Sequence, residues 1–146
     1  MNDFIIRAYR AEDLPHIIAL FKDTVRSVCS ADYSPRQTDA WLSGAKYGEW
    51  GARFANSFTL VAEVSGKIMA FGNIARGGEC GGVQLRAEDG YLDMLYVDKS
   101  CLRRGIATAL CNELEGRVRG RVFADVSLTA QPFFLSRGYA VIMPQK

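Results

Sequence analysis

Seven residues, Leu102 to Thr108, have the composition of an anion-binding turn. The segment reads Leu-Arg-Arg-Gly-Ile-Ala-Thr and joins an apolar run to an amphipathic helical pattern. Successive main-chain N–H groups at such a junction can converge on an anion at the positive end of the helix dipole. Gly105 and Ala107 leave room in front of the backbone, and Arg103 and Arg104 add positive charge. The turn therefore predicts a phosphate or diphosphate site, although the fragment alone fits a simple turn with two surface arginines equally well.

Other phosphate and metal motifs are absent from the sequence. It contains neither the Gly-x-x-x-x-Gly-Lys-Ser/Thr loop of nucleoside triphosphate sites nor a Gly-x-Gly-x-x-Gly motif opening a first βαβ unit. Cys29, Cys80, Cys101 and Cys111 show no Cys-x-x-Cys spacing, and His16 is the one histidine, so no metal site is expected. The predicted ligand is therefore another phosphate-bearing cofactor.

The elements that must position this turn follow an alternating pattern of strands and helices. Predicted strands cover residues 4–8, 58–64, 68–74, 83–86, 90–98, 122–128 and 139–143, and predicted helices begin near residues 12, 35, 106 and 129. Ser65-Gly66-Lys67 predicts a tight hairpin between two of the strands, whereas residues 44–57 give no clear pattern. We expect a mixed α/β domain spanning residues 1–146, with helices on both faces of one sheet.

Size and charge narrow the class of protein. A chain of 146 residues with 49% hydrophobic residues can bury a full core, and a formal charge of +2 gives no bulk attraction to nucleic acid or membranes. The arginines at 117, 119 and 121 follow a predicted helix, where the helix dipole and solvation favour positive charge in any case. No apolar run approaches the ~20 residues of a membrane span, and the first residues do not resemble a signal peptide. We expect a cytoplasmic protein with no nucleic-acid or membrane partner.

Together these segments resemble the GNAT superfamily of acetyl-CoA-dependent N-acetyltransferases, whose signature is Gln/Arg-x-x-Gly-x-Gly/Ala between a strand and a helix. Leu102 stands where the Gln or Arg is expected. Residues 92–97 resemble the central strand of the family and residues 130–139 its later helix and turn, in the same order. The resemblance covers residues 58–143 well and the first strand and helix loosely. It implies a mostly antiparallel central sheet with helices on both faces, and acetyl-CoA as co-substrate without a metal.

The resemblance also implies which residues bind the cofactor. The central strand is expected to splay from its neighbour, so that the pantetheine arm pairs with the main chain at Leu95 and Val97. The Leu95 N–H would then face the thioester carbonyl, and removing such an oxyanion donor from an enzyme costs ~10²–10³ in rate. The full predicted cofactor set is Leu95, Tyr96, Val97, Leu102, Arg103, Arg104, Gly105, Ile106, Ala107, Thr108, Phe133, Phe134 and Arg137.

Asp93 is the first candidate for the proton acceptor. An alkylamine with a pKa of ~10.4 is protonated at neutral pH and must lose a proton before it attacks. Asp93 interrupts the apolar strand and shares strand parity with Leu95, so its side chain is expected on the same face. The alternative is a structural Asp bonded to a loop amide or paired with an arginine. Glu63 and Glu79 are weaker candidates.

The leaving thiolate has no obvious acid. Many family members place a tyrosine in the later helix, and the matching position here is Phe134, preceded by Phe133. A thiol of pKa ~8.5 leaves without much help, so transfer is not excluded. Tyr139 is the predicted donor and Tyr96 a second candidate, although either could equally be a packed aromatic.

The acceptor site is expected among aromatic residues of the N-terminal half and the central strand. The predicted substrate-binding residues are Tyr33, Trp41, Trp50 and Tyr91, and core packing is the stronger interpretation for Trp41. We expect a small-molecule amine rather than a protein acceptor, and leave a homodimer open. The alternative function is a non-catalytic acyl-CoA binding or sensing module with the same phosphate-binding turn.

Overall fold

The computed structural model describes residues 4–27, 32–43, 46–80, 83–126 and 130–140. Its strands are β1 (Ile5–Ala8), β2 (Phe58–Val64), β3 (Lys67–Arg76), β4 (Glu79–Cys80), β5 (Val83–Gln84), β6 (Gly90–Val97) and β7 (Val122–Ala124). Its helices are α1 (Leu14–Ser27), α2 (Pro35–Leu42), α3 (Tyr47–Ala55), α4 (Ile106–Glu115) and α5 (Gln131–Ser136). Among these described residues, no helix combines the length and the apolar character needed to cross a bilayer.

Five strands form one sheet in the order β1-β2-β3-β6-β7. The first four pair antiparallel, and β7 pairs parallel to β6. The predicted hairpin is confirmed, since Val64 pairs with Lys67 across a turn in which Ser65 and Gly66 have φ of 52° and 82°. Two successive residues of positive φ match the right-handed twist of the flanking strands. The expectation of a mixed, mostly antiparallel α/β sheet is therefore confirmed.

Helices cover both faces of this sheet, as the sequence pattern predicts. On one face, which we call the α4 face, buried Ile106, Leu110 and Leu114 pack against Leu92 and Val97 of β6. On the opposite face, the α1–α3 face, a second cluster of buried side chains packs against β2, β3 and β6; it consists of Ile17, Ile18, Leu20, Phe21, Val25, Trp50, Phe54, Val61, Phe71 and Met94.

Several element boundaries differ from the sequence-based expectation. Residues 47–55, which gave no clear pattern, form α3, because Trp50 and Phe54 lie one turn apart and are both buried. The predicted strand over 83–86 is reduced to a short ribbon with β4, outside the main sheet. The predicted strand over 122–128 ends at Ala124, and Tyr139 and Ala140 are not in a strand. Positions 28, 127–129 and 141–143 of the predicted elements lie outside the described residues.

A buried carboxylate fixes the point where β6 and β7 begin to pair. Asp89 is 2% exposed, and it accepts hydrogen bonds from the main-chain N–H groups of Arg121 at 2.8 Å and Arg86 at 3.1 Å. The Arg121 N–H is the main reason that the pKa of Asp89 lies below its usual value. The Gly90 N–H in turn donates to the Arg121 carbonyl at 2.8 Å. This network holds the start of β6 against the start of β7, and the two strands pair as far as Leu92 and Ala124 before they diverge.

Candidate active site

The sheet splits between β6 and β7 after a short stretch of pairing. β6 and β7 pair at three positions, Gly90 with Val122, Tyr91 with Phe123 and Leu92 with Ala124, and the pairing ends there. Beyond this point lies a cavity of about 370 Å³ between the two strands. It is lined by Tyr33, Trp41, Leu92, Asp93, Met94, Leu95, Tyr96, Ala124, Asp125, Val126, Ala130 and Phe134.

The main chain of Leu95 and Val97 faces this split. The Asp98 N–H donates to the Met69 carbonyl at 2.8 Å, so Asp98 and Met69 form a hydrogen-bonded pair of the β3–β6 ladder. Hydrogen-bonded and non-hydrogen-bonded pairs alternate along an antiparallel ladder, and Leu95 and Val97 occupy the non-hydrogen-bonded positions. Their N–H and C=O groups therefore point away from β3, towards the side on which β7 has diverged.

A β-bulge at Asp93 changes which face each side chain of β6 occupies. The register with β3 shifts between Asn73, which pairs with Met94, and Ile74, which pairs with Leu92, leaving Asp93 as the extra residue. Leu95 packs with the α4-face cluster, whereas Asp93 contacts α3. Asp93 and Leu95 therefore lie on opposite faces of the sheet, and the prediction of a shared face is wrong because one extra residue reverses the alternation.

Asp93 forms an ion pair with Arg53 of α3. The Arg53 Nε donates to Asp93 Oδ2 at 2.5 Å, and a second guanidinium N–H donates to Oδ1. The Asn73 amide donates to Oδ2 at 3.1 Å, and the Asp93 side chain is only 5% exposed while that of Arg53 is 47% exposed. The structure thus contains the arginine-paired Asp that the sequence left as the alternative, at the edge of the cavity.

The predicted phosphate-binding turn has the backbone shape such a site requires. Arg103 and Gly105 have φ of 64° and 84°, and α4 begins at Ile106. No heavy atom lies within 4 Å of the position that a Cβ of Gly105 would occupy, so the space in front of the turn is open. The N–H groups in the first turn of a helix have no intrahelical acceptor. The residues present therefore fit a diphosphate at this position.

The structure does not bring Arg137 and Tyr139 to the turn or to the cavity. Arg137 donates to Glu115 Oε1 at 2.5 Å and to Asn112 Oδ1 at 3.0 Å, and the Tyr139 hydroxyl donates to Glu115 Oε2 at 2.5 Å. Glu115 lies nine residues after the start of α4, which is ~13 Å along the helix axis. Burial and this hydrogen bond raise the pKa of Tyr139. Glu115 therefore holds both side chains at the far end of α4, Arg137 by an ion pair and Tyr139 by a hydrogen bond.

The two phenylalanines of α5 have different surroundings. Phe134 is 5% exposed and lines the cavity where a tyrosine was expected to supply an acid. Phe133 packs against Phe134 and lies beside the Arg137 guanidinium. Tyr96, also predicted for the cofactor, lines the cavity while its ring stacks on Phe71. The described part of α5 therefore closes one side of the cavity with apolar surface.

The predicted acceptor residues divide into two groups. Tyr33 and Trp41 line the cavity, with their ring centroids 5.4 Å apart. Trp50 is 4% exposed and packs against Phe21, so it belongs to the core. Tyr91 does not line the cavity, but its hydroxyl donates to Asp125 Oδ2 at 3.0 Å.

Asp125 is a cavity residue that the sequence pattern does not single out. It lines the cavity directly after β7, on the opposite side of the split from Asp93. The signal that could have identified it is an acidic residue within a predicted strand that neighbours the central one. Extending that strand to residue 128 obscured it, because Asp125 then appeared to be an interior strand position.

A sheet split beside its central strand, with a turn that fits a diphosphate after that strand, is the arrangement expected of an acyltransferase with a diphosphate-bearing co-substrate. A family model described as an acetyltransferase (GNAT) domain matches residues 29–146. The uncharacterized N-acetyltransferase YafP of Escherichia coli strain K12 is 30% identical over 146 residues, covering 100% of this chain and 87% of YafP.

Solved structures agree with this classification. A GCN5-related N-acetyltransferase from Rhodopseudomonas palustris superimposes with a TM-score of 0.83 at 30% identity, over 98% of this chain and 85% of that one. The PaiA N-acetyltransferase of Thermoplasma acidophilum, solved in complex with coenzyme A, has the same fold, with a TM-score of 0.65 at 17% identity over 80% and 71% of the two chains. The chain belongs to the GNAT acetyltransferase family. The expectation of an acetyl-CoA-dependent N-acetyltransferase is thereby confirmed.

Proposed function

We propose that this protein transfers the acetyl group of acetyl-CoA to a small-molecule primary amine, by direct attack while both substrates are bound. The observation that carries the proposal is the split between β6 and β7 directly beside the phosphate-binding turn. The co-substrate reaches the split from the α4 face, since the turn opens the helix of that face. The acceptor enters from the α1–α3 face, where Tyr33 and Trp41 line the cavity.

The co-substrate, when bound, supplies an activated acetyl thioester. Residues of the turn from Leu102 to Thr108 would hold the diphosphate, mainly through main-chain N–H groups, with Arg103 and Arg104 adding charge. The main chain of Leu95 and Val97 would pair with the pantetheine arm in the place of a neighbouring strand. The Leu95 N–H would then be the donor that stabilises negative charge developing on the thioester oxygen. Each of these roles is supported by the geometry of the split and of the turn.

Asp93 remains the proposed proton acceptor for the attacking amine. A carboxylate offers about four lone-pair positions, and donation from Arg53 and Asn73 uses three of them. The position left on Oδ1 is where a proton from the amine, or from a water between them, would bind. The ion pair also holds the carboxylate in one orientation at the edge of the cavity.

The experiment that tests this proposal measures release of coenzyme A thiol with a panel of amines. Aliphatic mono- and diamines, amino sugars, amino-acid amides and lysine peptides are added to protein and acetyl-CoA, and the acetylated product is identified by mass spectrometry. We expect at least one small amine to accelerate thiol release well above hydrolysis without amine. Stabilisation by acetyl-CoA without acceleration by any amine would contradict an acetyltransferase role. Faster transfer to the peptides would contradict a small-molecule acceptor.

A further inference from the structure

We propose that Asn73 of β3 is a positioning residue for Asp93, which keeps the carboxylate in the orientation that proton transfer requires. The inference rests on the proposed function, because it assigns a part in the reaction to a residue that acts through Asp93. Asn73 is 0% exposed and is not one of the residues that line the cavity. It can therefore influence the reacting groups only through the carboxylate that it contacts.

The β-bulge in β6 brings the two side chains together. On β3, Asn73 pairs with Met94, and the next residue, Ile74, pairs with Leu92. Two residues of the bulged strand, Asp93 and Met94, therefore oppose the single residue Asn73. Met94 packs in the α1–α3 face, and Asp93 contacts α3 on that same face. The carboxylate thus lies next to the Asn73 amide, whose Nδ2 donates to Asp93 Oδ2 at 3.1 Å.

Asn73 also closes a ring of hydrogen bonds with the end of α3. Its Nδ2 donates to Ser57 Oγ at 3.0 Å, and the Ser57 hydroxyl donates to the Arg53 carbonyl at 2.9 Å. The Arg53 guanidinium in turn binds the Asp93 carboxylate. Asp93 is therefore held by one side chain of α3 and one of β3, and these two are joined to each other through Ser57.

The orientation of the Asn73 amide is set by its two acceptors. Its two N–H groups donate to Asp93 and Ser57, whereas its Oδ1 accepts no hydrogen bond from the described part of the chain. The opposite orientation would place Oδ1 against a carboxylate oxygen, which is itself an acceptor. Every hydrogen bond that the described residues make with this buried amide therefore leads to Asp93 or to the end of α3.

Thr59 offers a matched control, because it ties the end of α3 to the sheet without touching Asp93. It is 5% exposed, and its hydroxyl donates to the Phe54 carbonyl at 3.0 Å and lies 3.3 Å from Ser57 Oγ. Thr59→Val keeps the shape of the side chain and removes these contacts, so it measures the cost of a looser α3. Asn73→Leu keeps a similar volume and removes the donor to Asp93.

The test measures kcat and KM of these variants with the best acceptor from the amine panel. We expect Asn73→Leu to lower kcat about tenfold or more at the pH of maximal rate, because the carboxylate can turn away from the amine. Asn73→Ala removes the same donor without filling the site and should show the same fall. The KM for acetyl-CoA, and the rise in Tm that acetyl-CoA causes, should stay at wild-type values. Thr59→Val should lower the free energy of unfolding but keep kcat close to the wild-type value.

A double-mutant cycle separates positioning from a purely structural role. In Asp93→Asn there is no carboxylate left to orient, so adding Asn73→Leu should change kcat little in that background. An equally large loss in the double variant, a matching fall in kcat for Thr59→Val, or a wild-type kcat in Asn73→Leu would overturn the role of Asn73. Failure of wild type to acetylate any amine would instead overturn the proposed function, and the role of Asn73 with it.

Discussion

Replacing Gly105 by alanine separates the role of the turn in ligand binding from its role in folding. Gly105 has φ of 84°, and a Cβ there would meet no heavy atom within 4 Å. The substitution therefore strains the backbone without a collision, at a cost of about 1–2 kcal/mol in folding free energy. Gly66 offers a matched control, since it has φ of 82° and the same open surroundings but lies in the β2–β3 turn. Gly66→Ala measures the backbone strain alone.

The magnitude of the binding effect follows from mass action. At an acetyl-CoA concentration about 100 times the Kd, binding adds about 2.7 kcal/mol to stability. In a chain of this size that raises the Tm by roughly 5–10 °C. A methyl group between the N–H groups and the diphosphate should raise the Kd about tenfold. This removes about 1.4 kcal/mol of the stabilisation by acetyl-CoA, and therefore about half of the increase in Tm. Gly105→Asp adds a negative charge at the same place and should abolish the rise.

The assay is thermal unfolding of wild type and the variants, with and without acetyl-CoA. Both alanine variants should begin from a lower Tm than wild type, and Gly66→Ala should keep the full rise on adding acetyl-CoA. Gly105→Ala should lose about half of it and Gly105→Asp nearly all. A full rise in Gly105→Asp would refute the assignment of the diphosphate to this turn.

Three further predictions follow from the ionisable groups. Asp93→Asn should lower kcat about 100-fold or more, most strongly at low pH, with the acetyl-CoA KM unchanged; an equal loss at every pH would limit Asp93 to its ion pair. The Arg7 side chain, 2.8 Å from Asp13, lowers the pKa of that carboxyl. The ionised Asp13 carboxylate therefore contributes fully to the free energy of unfolding above about pH 4, and this contribution is lost as the pH falls through the lowered pKa. Asp13→Asn should therefore lower the free energy of unfolding, measured with urea at pH 7, by about 1–3 kcal/mol. It should also reduce the loss of stability between about pH 4 and lower pH, and an unchanged loss over that range would contradict this. Burial raises the pKa of Cys111 to about 12, so peptide-resolved mass spectrometry should show it alkylated at pH 8 only after unfolding; rapid labelling of the native protein would contradict that.

Local features of the site could be predicted from the sequence, because they depend on neighbouring residues. The turn before α4 combines arginines, a glycine and an apolar helix within seven positions, and its backbone has the expected form. The hairpin at Gly66 is local in the same way. Both were identified from patterns that do not require knowledge of any distant residue.

Features that depend on long-range contacts could not be predicted in this way. The partner of Asp93 is Arg53, 40 residues earlier, on a helix whose glycines obscure its pattern. The bulge that turns Asp93 to the α1–α3 face arises from the register between two strands, which no single strand encodes. The prediction of Tyr139 as an acid fails to anticipate its contact with Glu115, which lies 24 residues earlier at the end of α4 and leaves no trace in the sequence around Tyr139.

The early end of β6–β7 pairing also bears on whether other chains can add a strand to this sheet. An unpaired strand edge normally presents a template to which a neighbouring molecule can add a strand, which leads to aggregation. Here the unpaired edge of β6 faces a cavity bounded by β7, Phe134 and the rings of Tyr33 and Trp41. The N–H and C=O groups of Leu95 and Val97 therefore face a cavity of the protein rather than an open sheet edge, which limits the addition of a strand at this position.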